Sequence, residues 1–214
     1  MKNKALFLSL EGSEGAGKST SLKFIDQWFS NKGIQLVKTR EPGGTPFAEE
    51  IRDLLLENRQ EKVASDTELL LMYASRAQHC QQFIIPELEK GHWVISDRFN
   101  DASFAYQGYG RGLDIERLQQ LDNWCLGDFK PDLTLFLDIS VELGLKRASE
   151  RSVPDRFEVE DIAFFESVRK GYLQRAADEP ERIKVIDASG TIEQVQARIA
   201  STLEAVLGSR VNAN

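Results

Sequence analysis

A chain of 214 residues, 41% of them hydrophobic, can bury one sizeable core, so a single domain over residues 1–208 with a polar tail at 209–214 is expected. The formal net charge of −7 excludes a broad basic surface for tracking nucleic acid, while leaving room for a local basic pocket that takes a small anion. Cys80 and Cys125 have no metal-ligand spacing around them, and no apolar run approaches the roughly 20 residues of a membrane span, so neither a zinc site nor a membrane partner is indicated and a cytoplasmic location is expected.

Short apolar segments alternate with longer amphipathic ones, which is the pattern of a parallel sheet flanked by helices. The first strand is predicted at Ala5–Leu10 and runs into Gly12, Ser13, Glu14, Gly15, Ala16, Gly17, Lys18 and Ser19. That is the G-x-x-x-x-G-K-[ST] spacing of a phosphate-cradling loop. Its glycines let backbone N–H groups turn inward, Lys18 can reach β- and γ-phosphates, and Ser19 can hold Mg²⁺ while opening a helix whose positive end faces the anion. The helix is predicted from Ser19 to Asn31, with Gly33 after it.

A second strand at Ile34–Lys38 leads into "TREPGGT", and Asp66 is predicted to precede the next helix. The third strand, Trp93–Ser96, opens into "DRFNDASFAYQG", read as a strand-end loop, and Asp114 marks another helix start. Leu133–Asp138 and Ile183–Ile186 complete the strands, and Thr191 with Gln194 resembles a capping box. The expected fold is therefore α/β: a doubly wound, parallel five-stranded sheet with helices on both faces and ligands outside the carboxyl ends of the strands.

The loop announces a nucleoside triphosphate without saying where its phosphate goes. Guanine specificity usually needs N-K-x-D, and Asn31-Lys32 continues into Gly33-Ile34, so a GTPase is disfavoured. A small-molecule kinase and an ATP-driven regulatory protein both remain open. Phosphoryl transfer needs charge neutralisation more than covalent chemistry, and Lys18, Arg40, Arg98 and the arginines near 150 are the available cations. Glu14 is electrostatically awkward among phosphates, and awkward residues point to function. His79 and His92 match no catalytic arrangement and read as ordinary, partly exposed histidines.

On "DRFNDASFAYQG", with "REPGGT" and "YASRAQ" in support, the chain resembles the bacterial thymidylate kinases from about Ala5 to Leu207. The resemblance implies a nucleoside monophosphate kinase fold, Mg²⁺- and ATP-dependent phosphorylation of dTMP to dTDP, and a homodimer. It implies an ATP site running from Gly12 to Thr20 and including Arg147 and Arg151, with Lys18, Asp97, Arg98 and Arg151 in catalysis and Ser19 and Asp97 at the metal. For the acceptor it implies Glu14 on the 3′-hydroxyl, Arg98 on the phosphate and Arg76 on the base, with Arg40, Pro42, Arg52, Met72, Ser103, Tyr106 and Gln107 around them. Gly15 stands where other members carry a loop arginine, which moves that role to a lid at 146–158 and there to Arg151. Two departures from the pattern are Ser149, where some relatives have a further lid arginine, and Met72, where many stack a phenylalanine on thymine.

Overall fold

The computed structural model describes residues 5–149 and 160–211. Five parallel strands, β1 (Phe7–Glu11), β2 (Leu36–Arg40), β3 (Trp93–Asp97), β4 (Leu133–Asp138) and β5 (Ile183–Asp187), form one sheet in the order β2-β3-β1-β4-β5. The α/β reading of the sequence is thus met. Four of the five strands end later than their apolar windows, on Glu11, Arg40, Asp97 and Asp187. Backbone pairing ends a strand, and pairing continues past the last apolar side chain. Register makes this concrete, with Leu10 opposite Asp97 and Arg40 opposite Asp97.

The helices are α1 (Lys18–Ser30), α2 (Pro46–Leu56), α3 (Ser65–His79), α4 (Ile85–Glu89), α5 (Asn100–Ser103), α6 (Ile115–Leu126), α7 (Val141–Ser149), α8 (Ile162–Asp178) and α9 (Ile192–Val211). Alternation along each strand sorts them onto two faces. Leu8, Leu10, Ile95, Leu135 and Leu137 point to one side, against Ile25 and Phe29 of α1 and Ile199 and Leu203 of α9. Phe7 and Val94 point to the other with Ile84, and Phe136 does so with Val168 and Tyr172 of α8. β1 and β4 are buried throughout apart from the half-buried Asp138, as a parallel sheet covered on both faces requires.

Local signals account for several helix ends. Asp114 Oδ1 accepts from the N–H groups of Glu116 and Arg117, as its position suggests. Thr191 and Gln194 form a reciprocal pair, Gln194 N donating to Thr191 Oγ1 and Thr191 N to Gln194 Oε1. Asp66, by contrast, lies inside the first turn of α3, where its charge favours the helix N-terminus. There are two stretches of π-helix, Cys80–Ile84 after α3 and Phe104–Gly110 after α5, the second replacing part of what the sequence suggests as loop. Most of "DRFNDASFAYQG" is therefore helical.

Beneath β4 and α8 lies a buried charge cluster. Asp101 takes Arg182 through both carboxylate oxygens (2.7 and 2.9 Å) and Arg175 at 3.0 Å, while Glu179 closes the same group. Burial would raise the Asp101 pKa, but Arg182 and then Arg175 hold it below the ordinary carboxylate value. Asp101→Asn is expected to lower stability by about 3 kcal/mol, because it leaves buried guanidinium charge without its main counter-ion. Urea denaturation at pH 7 checks this: the midpoint should fall with an unchanged slope.

Candidate active site

The carboxyl ends of β1, β2 and β3 open into a cleft of about 350 Å³, within the usual range for small ligands. The loop from Glu14 to Ser19 lines one end. Gly17 (φ 90) is the N-cap of α1, and no N-cap side chain intrudes, so the helix's first N–H groups face the cleft. Gly15 has φ +70, and a Cβ there would lie 1.9 Å from the Gly144 carbonyl of α7. An arginine at position 15 is therefore incompatible with the seat that α7 takes on this loop. Lys18 Nζ rests on the Gly12 carbonyl at 3.1 Å. Burial, and then the neighbouring Arg98 guanidinium, lower its pKa, so an added anion would be welcome.

At the end of β3, Arg98 reaches across to that loop. Its guanidinium donates to Glu14 Oε1 at 2.5 Å, to the Gly12 carbonyl at 3.1 Å and to Tyr106 Oη at 3.0 Å. Burial opposes its charge, but the oxygens of Tyr106 and Glu14 keep its pKa well above the ordinary value. Glu14 is thus the counter-ion of Arg98, which answers why an acid sits in a phosphate loop. Beside it, Asp97 lines the cleft with Oδ1 buried and without a hydrogen-bond partner among the described residues.

The third wall comes from β2 and α3. Arg76 is only 2% exposed, and its guanidinium donates to Glu41 Oε2 (2.7 Å), Ser103 Oγ (2.9 Å) and the Phe99 carbonyl (3.0 Å). Burial opposes its charge, while Glu41 and then the Tyr73 hydroxyl raise its pKa above the usual guanidinium range. Glu41 also faces His79 Nδ1 at 3.1 Å, and His79 Nε2 faces Thr39 Oγ1 at 2.7 Å. A carboxylate only accepts, so Nδ1 carries a proton toward Glu41. His79 is fully buried, which corrects the expectation of a partly exposed side chain; His92 remains half exposed against Glu87. Gly44 (φ +90) passes so close to this ring that a Cβ would lie 2.3 Å from Nε2. Arg52 donates to the Pro42 carbonyl, and the outer Arg40 pairs with Glu49.

The π-helix brings Tyr106 and Gln107 to the same cleft. Gln107 Nε2 donates to the buried Glu68 carboxylate (3.0 Å), which fixes the amide with its oxygen as the remaining acceptor. Glu68 in turn is held by Arg111. π-turns widen the helix and re-aim side chains, and they concentrate at functional sites.

All the residues expected around an acceptor, from Glu14 to Gln107, line this one cleft, as do Ser19 and Asp97. Gly12 and Ser13, which open the loop, are buried and do not line the cleft, and Thr20 is exposed on α1 outside the lining. Arg147 lies apart, donating to the Ala188, Ser189 and Gly190 carbonyls after β5. Arg151 and most of the expected lid fall outside the described residues. Glu41, Glu68 and His79 are not anticipated by motif reading. Glu41 stands beside Arg40, too common a pattern to single out, and Glu68 and His79 carry no local signal because their partners lie far along the chain.

The family model described as thymidylate kinase matches residues 10–199. Thymidylate kinases of Ectopseudomonas mendocina and Hahella chejuensis are 54% and 52% identical to the chain, covering 94% and 95% of it and 96% and 98% of their own lengths. The crystal structure of thymidylate kinase from Ehrlichia chaffeensis superposes with a TM-score of 0.75 at 31% identity, covering 94% of this chain and 98% of that one. With such similarity running along nearly its whole length and a matching fold, the chain belongs to the thymidylate kinase family.

Proposed function

We propose that this protein transfers the γ-phosphoryl group of ATP to dTMP, giving ADP and dTDP. The observation that supports the reading is the contact of Arg98 with both the phosphate loop and the Tyr106 helix, which gives the loop that would hold the donor and the helix that would line the acceptor one shared guanidinium. ATP phosphates would lie on the N–H groups of the loop, with Lys18 turning from the Gly12 carbonyl to the transferring group. Arg98 would grip the acceptor phosphate and align it for in-line attack. Holding the two reacting groups in register and neutralising charge between them is most of what phosphoryl transfer requires.

Arg76 suits a thymine O4. Three of its bonds run to protein acceptors, so it is a rigid donor that a cytosine amino group would oppose. Met72 lines the same space and would cover the base with a polarizable thioether. Asp97 and Ser19 fit Mg²⁺: Asp97 Oδ1 is buried with no hydrogen-bond partner among the described residues and would serve as an oxygen ligand, and Ser19 lines the same cleft. Bound with the nucleotide, Mg²⁺ would neutralise charge on its β- and γ-phosphate oxygens.

A homodimer and a cytoplasmic location belong to the same proposal. Phe47 and Leu54 on one face of α2, Leu70 on α3 and Trp124 on α6, 82% exposed, support a dimer, since α2 packs on α3 and α3 on α6. Among the described residues no helix is long and apolar enough to cross a membrane.

Three measurements test the assignment. In an ADP-release assay with each monophosphate in turn, kcat/KM for dTMP should exceed that for dCMP by about 10⁴; comparable values would remove the reading. Lys18→Ala should cost about 10³ in kcat with an unchanged circular dichroism spectrum, the scale of one lost charge-stabilising donor. Near-normal turnover would take Lys18 out of catalysis. Glu14→Ala should shrink the preference for dTMP over its 3′-deoxy analogue about tenfold, the worth of a hydrogen bond to a charged acceptor. If the preference is unchanged, Glu14 serves Arg98 alone.

A further inference from the structure

Among the described residues, Arg98 is the one non-glycine with positive φ, at 69°. A side chain there is strained, and the conformation persists only where the surroundings impose it. Three hydrogen bonds bracket it. Arg98 N donates to the Leu10 carbonyl (3.0 Å), Ser96 Oγ donates to the Arg98 carbonyl (2.6 Å), and Phe99 N donates to Glu11 Oε1 (2.7 Å). Leu10, Glu11 and Ser96 are all 0% exposed, at the ends of β1 and β3. Two of the three bonds therefore come from side chains that lie outside the cleft lining.

Glu11 is costly where it stands. Its second oxygen accepts from Tyr172 Oη at 2.8 Å, and no guanidinium or ammonium is hydrogen-bonded to it among the described residues. Burial, and then the charge of Asp101, push its pKa up to about 8. An apolar residue would fill this place between β1 and α8 more cheaply. What an apolar residue lacks is an acceptor for the Phe99 N–H, and that N–H faces inward only because residue 98 is left-handed.

We propose that Glu11 and Ser96 are positioning residues for Arg98: together they hold its left-handed backbone and so turn its guanidinium back onto the phosphate loop. Released to negative φ, the chain would continue the extended course of β3, and the guanidinium would leave Glu14 and Gly12. The inference rests on the reading of Arg98 as the grip on the acceptor phosphate.

The test compares steady-state kinetics of Glu11→Gln, Glu11→Leu, Ser96→Ala, Tyr172→Phe and Arg98→Ala. Glu11→Leu should lower kcat/KM for dTMP about 10²-fold, the scale on which a misplaced reacting group acts, with KM for ATP little changed. Ser96→Ala, which removes one oxygen and so keeps the question answerable if Glu11→Leu does not fold, should lower it about tenfold. Glu11→Gln should restore most of the activity, since its amide oxygen still accepts from Phe99 N–H, and Tyr172→Phe, which leaves that bond intact, should change it little. A folded Glu11→Leu or Ser96→Ala with normal use of dTMP would overturn the proposal, as would losses shared equally by ATP and dTMP. Arg98→Ala separates the two readings. If it stays active, the role given to Arg98 fails; if it is inactive while the Glu11 and Ser96 variants are normal, only the positioning proposal fails.

Discussion

One guanidinium joins the two halves of this cleft. Arg98 bonds back to Gly12 and Glu14 in the phosphate loop and forward to Tyr106 in the π-helix, so neither wall can shift without the other. Arg98 and Glu14 are 84 positions apart in the chain and meet because β1 and β3 are neighbours in the sheet. Both faces of the sheet are covered by helices, which leaves the strand ends as the place where unpaired polar groups can gather without being buried against apolar side chains. The site follows from that restriction.

The negative charge of the chain and the cations of the cleft are two aspects of one arrangement. Arg98 is backed by Glu14, Arg76 by Glu41 and Arg40 by Glu49, while Asp138 at the end of β4 holds Arg169 through both oxygens. Of these, Arg76–Glu41 and Arg98–Glu14 are largely buried, and pairs of that kind add little net stability, because desolvation consumes most of the attraction. Their effect is to hold each guanidinium at a set angle before a ligand arrives, and fixed donors need no reorganisation when charge develops on a phosphate.

Much of this was open to reading in one dimension. The phosphate loop is local: strand, glycines, lysine and helix start lie within a dozen residues, and backbone sterics at Gly12, Gly15 and Gly17 act over the same short range. The capping box at Thr191 and Gln194 and the cap at Asp114 are local for the same reason. Sequence reading ends the strands short because hydrophobicity stops before pairing does, and it gives loop for the start of the π-helix at Phe104–Gly110 because no composition marks a widened turn.

The sequence by itself determined the α/β class, the phosphate loop and, through its motifs, the family and nearly all the residues of the cleft. Only the tertiary structure decided their relations. It showed that Glu14 is a counter-ion, that His79 is buried with Glu41 and Thr39, that α7 seated at Gly144 leaves Gly15 no room for a side chain, and that a buried glutamate stands behind the strained Arg98. Those facts depend on strand order and on distances between residues far apart in the chain. A motif fixes which groups are present; only packing sets which of them touch, and hence their charge state and direction.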